Sequence, residues 1–266
     1  MKKRFDITWI TTPLIILLFV LGWHVYVVWS GVSKFIIPPP LAVWDALVDL
    51  LTTPSTLRHA WITLYETLVG FFFACLIGVG LGTLLGKALW LERALNPFIV
   101  ATQVVPKVAL VPLFILWFGF GTESKIVVAT VLAFFPILTN TVLGIKSVDA
   151  GHRDVMTVLN AGRWQRFVAL ELPSSMPAVL AGMEVGVVLA IIGAVVGEYL
   201  GGSTGLGHLA VASLNDYKVG MMFAVIILLT VMGFLLYAIV GGLKKLLIPW
   251  HESVAGAQPE RTPASR

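Results

Sequence analysis

Two glycine-containing stretches of this sequence come close to nucleotide-binding motifs, and neither fits. Residues 81–88 (LGTLLGKA) resemble a phosphate-binding P-loop, but Leu81 stands at the first glycine position and Ala88 at the Ser/Thr position. Residues 205–210 (GLGHLA) have the spacing of a dinucleotide-binding turn, but they lie between two apolar runs. The five His residues are scattered singly, so no metal site is predicted. We expect no cofactor and no ATP hydrolysis in this chain, so its energy source is an ion gradient or a separate subunit.

Two charged residues are each the sole charge of a long apolar run. Lys107 lies between Pro106 and Pro112, and Glu184 lies in a later run. A charge at the centre of a bilayer costs about 2.5 to 3.5 kcal/mol, and a proline-broken helix is tolerated there only beside protein or water. We therefore assign Pro106, Lys107, Pro112 and Glu184 to a candidate translocation path. For Lys107, snorkelling to the membrane surface or a structural ion pair with Glu184 is at least as good an interpretation.

The composition indicates that the segments carrying these residues are surrounded mainly by lipid. Hydrophobic residues make up 58% of the 266 residues and charged residues 12%, against about 25% charged in soluble proteins. The mean hydropathy is +0.93, and the apolar runs do not alternate with period two. These features exclude a soluble enzyme and an outer-membrane barrel. They predict an all-α membrane protein.

Six apolar runs are long enough to form transmembrane helices. They lie between Asp6 and Lys34, between Glu66 and Lys87, in residues 94–122, between Lys125 and Lys146, in residues 172–197, and between Lys218 and Lys244. The first run lacks a small-residue cleavage site, so we interpret it as a retained anchor.

The distribution of basic residues predicts the orientation. With both termini in the cytoplasm, inside segments hold 13 of the 18 Lys and Arg residues. The net charge of +4 is dispersed in short loops and indicates membrane lipid, not nucleic acid, as the partner. We divide the chain into an N-terminal span with a proline-containing segment (1–58), a transmembrane core (59–248) and a disordered cytoplasmic tail (249–266).

Small residues recur at every fourth position along two of the runs. Such stripes let membrane helices approach closely, so we expect these spans to lie inside a bundle. The glycines assigned to helix packing are Gly70, Gly78, Gly82 and Gly86 in one run and Gly182 and Gly186 in the other.

The longest inside connection, residues 147–177, is here called the elbow. Val155, Val158 and Leu159 form one apolar face at helical spacing, and Trp164, Phe167 and Val168 form a second. Asn160-Ala161-Gly162 separates the two helices, with Asn160 suited to a left-handed conformation and Gly162 to a second swivel. Pro173 and Pro177 are expected to stop the second helix before the next span. A rigid segment with an exposed apolar face predicts a docking element, and an amphipathic piece on the lipid surface is the alternative.

The elbow resembles the cytoplasmic loop of the permeases of bacterial ATP-binding-cassette (ABC) importers. That loop has Glu-Ala-Ala, then Gly, Ile and Leu-Pro at fixed spacing. Here Asp154 falls at the acidic position, Asn160 at the glycine, Leu170 at the isoleucine, and Leu172-Pro173 at the end. Val155 and Met156 stand in place of the two alanines. The stretches similar to the nitrate, sulfonate and taurine branch are residues 37–44, 105–113 with 116–119, and 197–202 with 205–207.

This resemblance implies a type I importer permease fold like that of the methionine permease, with six transmembrane helices and cytoplasmic coupling helices in the bacterial inner membrane. The implied partners are ABC ATPase subunits, an extracytoplasmic substrate-binding protein and a second permease copy. The implied cargo is a nitrate-, sulfonate- or taurine-like anion or a related small organic molecule. The residues assigned to ATPase coupling are Arg153, Asp154, Val155, Met156, Asn160, Ala161, Gly162, Leu172 and Pro173.

Two other classes of function are compatible with a polytopic chain. An ion-gradient-driven secondary transporter would need buried ionisable groups for coupling and commonly has inverted halves, and neither is evident. An intramembrane enzyme would need paired Asp, Ser with Lys, or metal-spaced His within the spans, and none is found.

Overall fold

The computed structural model describes residues 8–249, and every element in this range is helical. The helices are α1 (Thr8–Ser30), α2 (Pro40–Thr52), α3 (Pro54–Lys87), α4 (Leu89–Val104), a 3-10 turn (Lys107–Leu110), α5 (Val111–Phe118), α6 (Thr122–Lys146), α7 (Ala150–Val158), α8 (Arg163–Arg166), a π-helix (Phe167–Glu171), α9 (Leu172–Gly201), α10 (Leu206–Asn215) and α11 (Val219–Leu247). Apart from Pro249, the tail predicted to be disordered lies outside the described residues.

Five stretches of helix are long and apolar enough to cross a membrane: α1, α3, α6, the continuous stretch from α8 to α9, and α11. A sixth crossing is made if α4 and the segment 107–118 count as one span, which bends by 84° at the break. The bend falls at Pro106, where a residue without an N–H ends α4. The all-helical prediction is confirmed, and the interruption predicted beside Lys107 is where this span breaks.

Helix α6 lies at the centre of the bundle, between α3 and α9. Ala129 and Ala133 of α6 are fully buried against Ala74 of α3 and Ala190 of α9. Without a hydrophobic effect between helices in lipid, such small side chains are favourable because they bring the backbones into van der Waals contact. The centre of one copy is therefore packed solid by three helices.

A second apolar cluster joins α2, α10 and α11. Val43 of α2, Leu206 of α10 and Val225 of α11 are buried together. Helix α1 lies largely apart, with exposed apolar side chains along most of its length, and Trp23 packs its ring 6.0 Å from that of Phe223. Helix α3 begins at Pro54, four residues before the domain boundary drawn at residue 58.

The prediction that Pro173 and Pro177 stop the second elbow helix is wrong. The chain remains helical from Arg163 to Gly201, with Pro173 in the first turn of α9 and Pro177 inside it. Proline is tolerated in a first helical turn, and the π-helix before it, in which the Leu172 N–H donates to the Phe167 carbonyl, accommodates the missing donor. The elbow is thus continuous with α9.

Candidate functional site

The first elbow helix, α7, is fixed to the end of α6. Asp149 caps it, and its Oδ1 accepts hydrogen bonds from the N–H groups of Gly151 at 2.8 Å and His152 at 3.3 Å. The Arg153 guanidinium donates to the carbonyl of Ile145 in the last turn of α6 at 3.0 Å. These contacts hold the short helix at a defined angle to the span that precedes it.

The turn of the elbow is built as predicted around Asn160, which has a φ of 51°. Its geometry is closed by the Ala161 N–H, which donates to the Met156 carbonyl, and by the Ala161 carbonyl, which accepts from Arg166. Gly162 has a φ of −65°, so the second swivel predicted there is not used. Asparagine tolerates the left-handed region, which explains why it can replace the glycine of the family motif.

The elbow presents apolar side chains away from the bundle. Val158 is 82% exposed and Trp164 is 74% exposed, with Val155 and Leu159 beside them. Asp154 is exposed on the same short helix, Met156 is half-buried, and Leu172 and Pro173 lie at the junction with α9. The nine residues predicted for coupling thus lie within one continuous stretch of 21 residues, from Arg153 to Pro173.

The elbow is also joined to α3. Lys87, the last residue of α3, places its Nζ 2.6 Å from Glu171 Oε2 and 4.5 Å from the ring centre of Phe167. A second ion pair, 2.7 Å from Lys146 Nζ to Glu92 Oε1, links the end of α6 to α4. The sequence analysis missed these pairs because their members are separated by 84 and 54 residues.

The structure separates the residues predicted for the path. Lys107 Nζ lies 4.7 Å from the ring centre of Phe135 and 3.4 Å from the Gln103 carbonyl, beside the broken span. Glu184 pairs instead with Lys244 of α11, at 3.4 Å. The predicted alternative of a Lys107–Glu184 pair is therefore wrong. Pro106 and Pro112 flank the break and are exposed.

Two concave surfaces correspond to these two charges. One, of 280 Å³, lies between α3, α4 and α6 and includes Phe135. The other runs between α9 and α11, where a cavity of 620 Å³ and a cavity of 370 Å³ share Phe234 and Tyr237, and the second contains Glu184. The two surfaces have no lining residue in common, so one copy of the chain has two separate concave surfaces.

A polar cluster lies at the end of the bundle opposite the elbow, here called the α10 end. Glu198 is 1% exposed. Its Oε1 accepts from the Thr63 hydroxyl at 2.6 Å and its Oε2 accepts from the Gly207 N–H at 2.6 Å. Glu198 is therefore a buried carboxylate that caps α10 and is bound by α3.

The glycines around Glu198 are part of this cluster. Gly205 has a φ of 100°, and a side chain at Gly205 or Gly207 would overlap the Glu198 carboxylate. Nearby, the Lys125 ammonium donates to the carbonyls of Phe120, Gly121 and Gly201 and is 3% exposed. Lys125 was counted as an outside loop charge, and it lies instead in the first turn of α6.

The predicted packing glycines lie at close approaches of helices. A Cβ on Gly70 would stand 2.5 Å from Ala129 Cβ, and one on Gly182 would stand 2.8 Å from Asn140 Cβ, so both stripes face α6. Gly78, Gly82, Gly86 and Gly186 also face α6 side chains. Gly193 was missed, although a Cβ there would meet the backbone of Ala129 at 2.7 Å. Across residues 8–249, no group of three or more potential metal ligands is found.

Together, a helical bundle with a broken span and a helical elbow between two spans define a transport permease. Residues 74–250 match a protein family described as "Binding-protein-dependent transport system inner membrane component". The chain belongs to this family. It is an ABC importer permease subunit for small solutes.

Three similar proteins illustrate the family. The chain is 36% identical over 251 residues to the riboflavin transport system permease protein RibX of Chloroflexus aurantiacus, covering 94% of each. It is 31% identical over 255 residues to the putative aliphatic sulfonates transport permease protein SsuC of Bacillus subtilis, covering 96% of this chain and 92% of the relative. An inward-facing structure of the MetNI methionine ABC transporter shares the fold, with a TM-score of 0.64 and 21% identity over 72% of this chain and 95% of that chain.

Proposed function

We propose that the elbow is the surface on which a separate ATPase subunit binds, and that this subunit supplies the ATP hydrolysis. The observation that carries the proposal is the exposed apolar face of Val158 and Trp164 on a segment that is hydrogen-bonded to α6 and continuous with α9. Exposed apolar patches on ordered segments mark interaction sites. The coupling contact would comprise the nine residues from Arg153 to Pro173 predicted from the sequence.

The elbow would act as a lever. Because it is continuous with α9 and tied to the end of α6, a movement imposed on α7 and α8 is passed to both spans. When ATP binding closes two ATPase subunits, each elbow moves with its subunit as a rigid body. The spans then tilt and open the path alternately to the two sides of the membrane.

The path would lie between two copies of the chain. In the part of the chain that the structure describes, buried side chains of α3, α6 and α9 fill the centre of one copy. The surfaces beside Lys107 and Glu184 are concave and open, so a second copy could enclose them. This supports a homodimer whose path is lined in part by Pro106, Lys107, Pro112 and Glu184.

Both termini and the elbow would face the cytoplasm. This orientation rests on the distribution of basic residues, 13 of 18 of which then lie inside. The α10 end would face outward and meet the substrate-binding protein that the family description implies.

The cargo would be a small anion of the nitrate, sulfonate or taurine type or a related small organic molecule. Relatives of similar overall identity carry names as different as riboflavin and aliphatic sulfonates permease. This range supports a shared path whose selectivity lies largely in the separate binding protein.

The test is co-purification of the ATPase with tagged variants of the chain. Asp154→Lys reverses an exposed charge on α7, and Ala161→Trp places a large ring in the half-buried turn. Loss of a contact of hot-spot strength, about 2 kcal/mol, lowers affinity about 30-fold, so each variant should release the ATPase during purification. Membrane insertion should equal that of the parent chain.

The matched control is Asp216→Lys, an exposed charge reversal at the α10 end. It should retain the ATPase fully. Unchanged ATPase content in both elbow variants would contradict the docking role.

A further inference from the structure

Lys87 connects the end of α3 to the elbow through two contacts with one side of the π-helix. Its Nζ lies 2.6 Å from Glu171 Oε2 and 4.5 Å above the centre of the Phe167 ring. Phe167 and Glu171 are four residues apart, so they lie on the same side of the helix and can both reach Lys87. One ammonium group therefore contacts the elbow at an acidic and an aromatic residue simultaneously.

The contact lies where the elbow changes its helical geometry. The π-helix Phe167–Glu171 separates α8 from α9, and its widened turn is the one irregular stretch between the turn at Asn160 and the membrane span. Such π turns are frequent at functional sites. A bend that passes movement from α8 to α9 would form at this junction, and Lys87 holds α3 to it.

Lys87 and Glu171 form a partly buried ion pair. The Lys87 side chain is 39% exposed and the Glu171 side chain is 16% exposed, so water screens this pair only in part. The packing of α3 in the bundle is already ensured by the glycine stripe against α6. Lys87 lies in the last turn of α3, where the helix dipole favours a positive charge.

We propose that Lys87 is a positioning residue for coupling, which makes α3 follow the elbow when the ATPase subunits close. The inference rests on the proposed ATPase docking. Without Lys87, the connections from the elbow to α3 would run only through the packing of α3 against α6 and α9. With it, the junction of elbow and α9 and the end of α3 move as one unit.

Distances between spin labels test this directly. In a Cys75→Ala background, nitroxides are attached at Leu76→Cys on α3 and Arg163→Cys on α8, both exposed positions. Complexes with one labelled copy and one cysteine-free copy of the chain, so that only distances within one copy are recorded, are measured with their co-purified ATPase in lipid nanodiscs, without nucleotide and with ATP plus vanadate. With Lys87 present, we expect one narrow distance distribution that nucleotide does not change, because α3 and the elbow move together.

Lys87→Gln should broaden the distribution without nucleotide and shift it with ATP plus vanadate. The exchanged pair Lys87→Glu with Glu171→Lys rebuilds the ion pair in reverse but loses the cation over the Phe167 ring, so it should restore the parent distribution in part. Lys146→Gln is the matched control, since Lys146 has similar exposure and its ion pair at the same end is with Glu92 of α4. It should leave the distribution unchanged.

Three results would overturn the inference. Distances in Lys87→Gln equal to those of the parent in both states, with the ATPase retained, would refute the positioning role alone. Failure of the exchanged pair to restore the distribution even in part, in a folded, ATPase-bound complex, would show that the ion pair is not the connection. Absence of any bound ATPase from the parent chain would refute the docking proposal and this inference together.

Discussion

The two ends of the helix bundle are held by charged residues in different ways. At the α10 end, Glu198 and Lys125 are almost completely buried and have hydrogen-bonding partners on several elements. At the elbow end, two ion pairs join the helices, Lys87 with Glu171 and Lys146 with Glu92, and both lysines are partly exposed. Lys146 is 43% exposed and its partner Glu92 is 20% exposed.

This difference indicates a fixed end and an adjustable end. Removing one member of a buried polar cluster leaves its partners unpaired in an apolar medium, which is costly, whereas an exposed ion pair exchanges readily with water. The α10 end joins α3, α6, α9 and α10 into one body. The elbow end has weaker connections that can break and form again, as a lever driven from this side would require.

The largest effect is expected from Glu198→Ala at the fixed end. The Thr63 hydroxyl and the Gly207 N–H lose their acceptor, and α10 loses its cap. We expect the free energy of unfolding to fall by about 3–5 kcal/mol. Equilibrium unfolding of the purified chain in mixed micelles with increasing SDS measures it.

The control for this change is Asp216→Ala, which removes an exposed acid at the same end. It should leave the unfolding midpoint unchanged. If Glu198→Ala unfolds at the midpoint of the parent chain, the α10 end is not fixed by its buried charge.

An intermediate effect is expected from Gly70→Ala, which tests the packing that joins the two ends. The added Cβ would lie 2.5 Å from Ala129 Cβ and 3.0 Å from the Ile126 carbonyl oxygen, so α3 must move away from α6. We expect a loss of about 1–3 kcal/mol in the same SDS titration, which is typical of overpacking.

Gly80→Ala is a control on the same helix. No heavy atom lies within 4 Å of a Cβ there, so the substitution should be neutral or stabilise α3 by less than about 1 kcal/mol. Equal effects of the two substitutions would mean that the glycine stripe does not set the distance between α3 and α6.

The elbow end could largely be predicted from the sequence because its signals are local. The spacing of Val155, Val158 and Leu159 predicts an exposed helical face, and Asn160 predicts the left-handed turn. Membrane spans are predictable for the same reason, since each run of apolar residues is one segment. Pro173 is the exception, because whether a proline ends a helix depends on the turn that precedes it.

The α10 end could not be predicted because its contacts join distant parts of the chain. Glu198 and Thr63 are separated by 135 residues, and Lys125 reaches Gly201 across 76. A glutamate next to an apolar run is compatible with a solvated loop as well as with a buried cap. One signal was present: Gly205 and Gly207 follow Glu198 closely, and a backbone that must pass a side chain at short range requires glycine.

The smallest effect is expected at the adjustable end, from Glu92→Gln. The ion pair with Lys146 is short, at 2.7 Å, but both side chains are partly exposed, so its contribution should be less than about 1 kcal/mol. High salt should reduce even this difference, because at about 1 M ionic strength charges are screened within about 3 Å. Unfolding of Glu92→Gln, Lys146→Gln and the double variant at low and high salt gives the coupling energy of the pair. A salt-independent coupling energy as large as the loss in Glu198→Ala would mean that both ends are equally fixed, and the elbow would then have no freedom to move relative to the bundle.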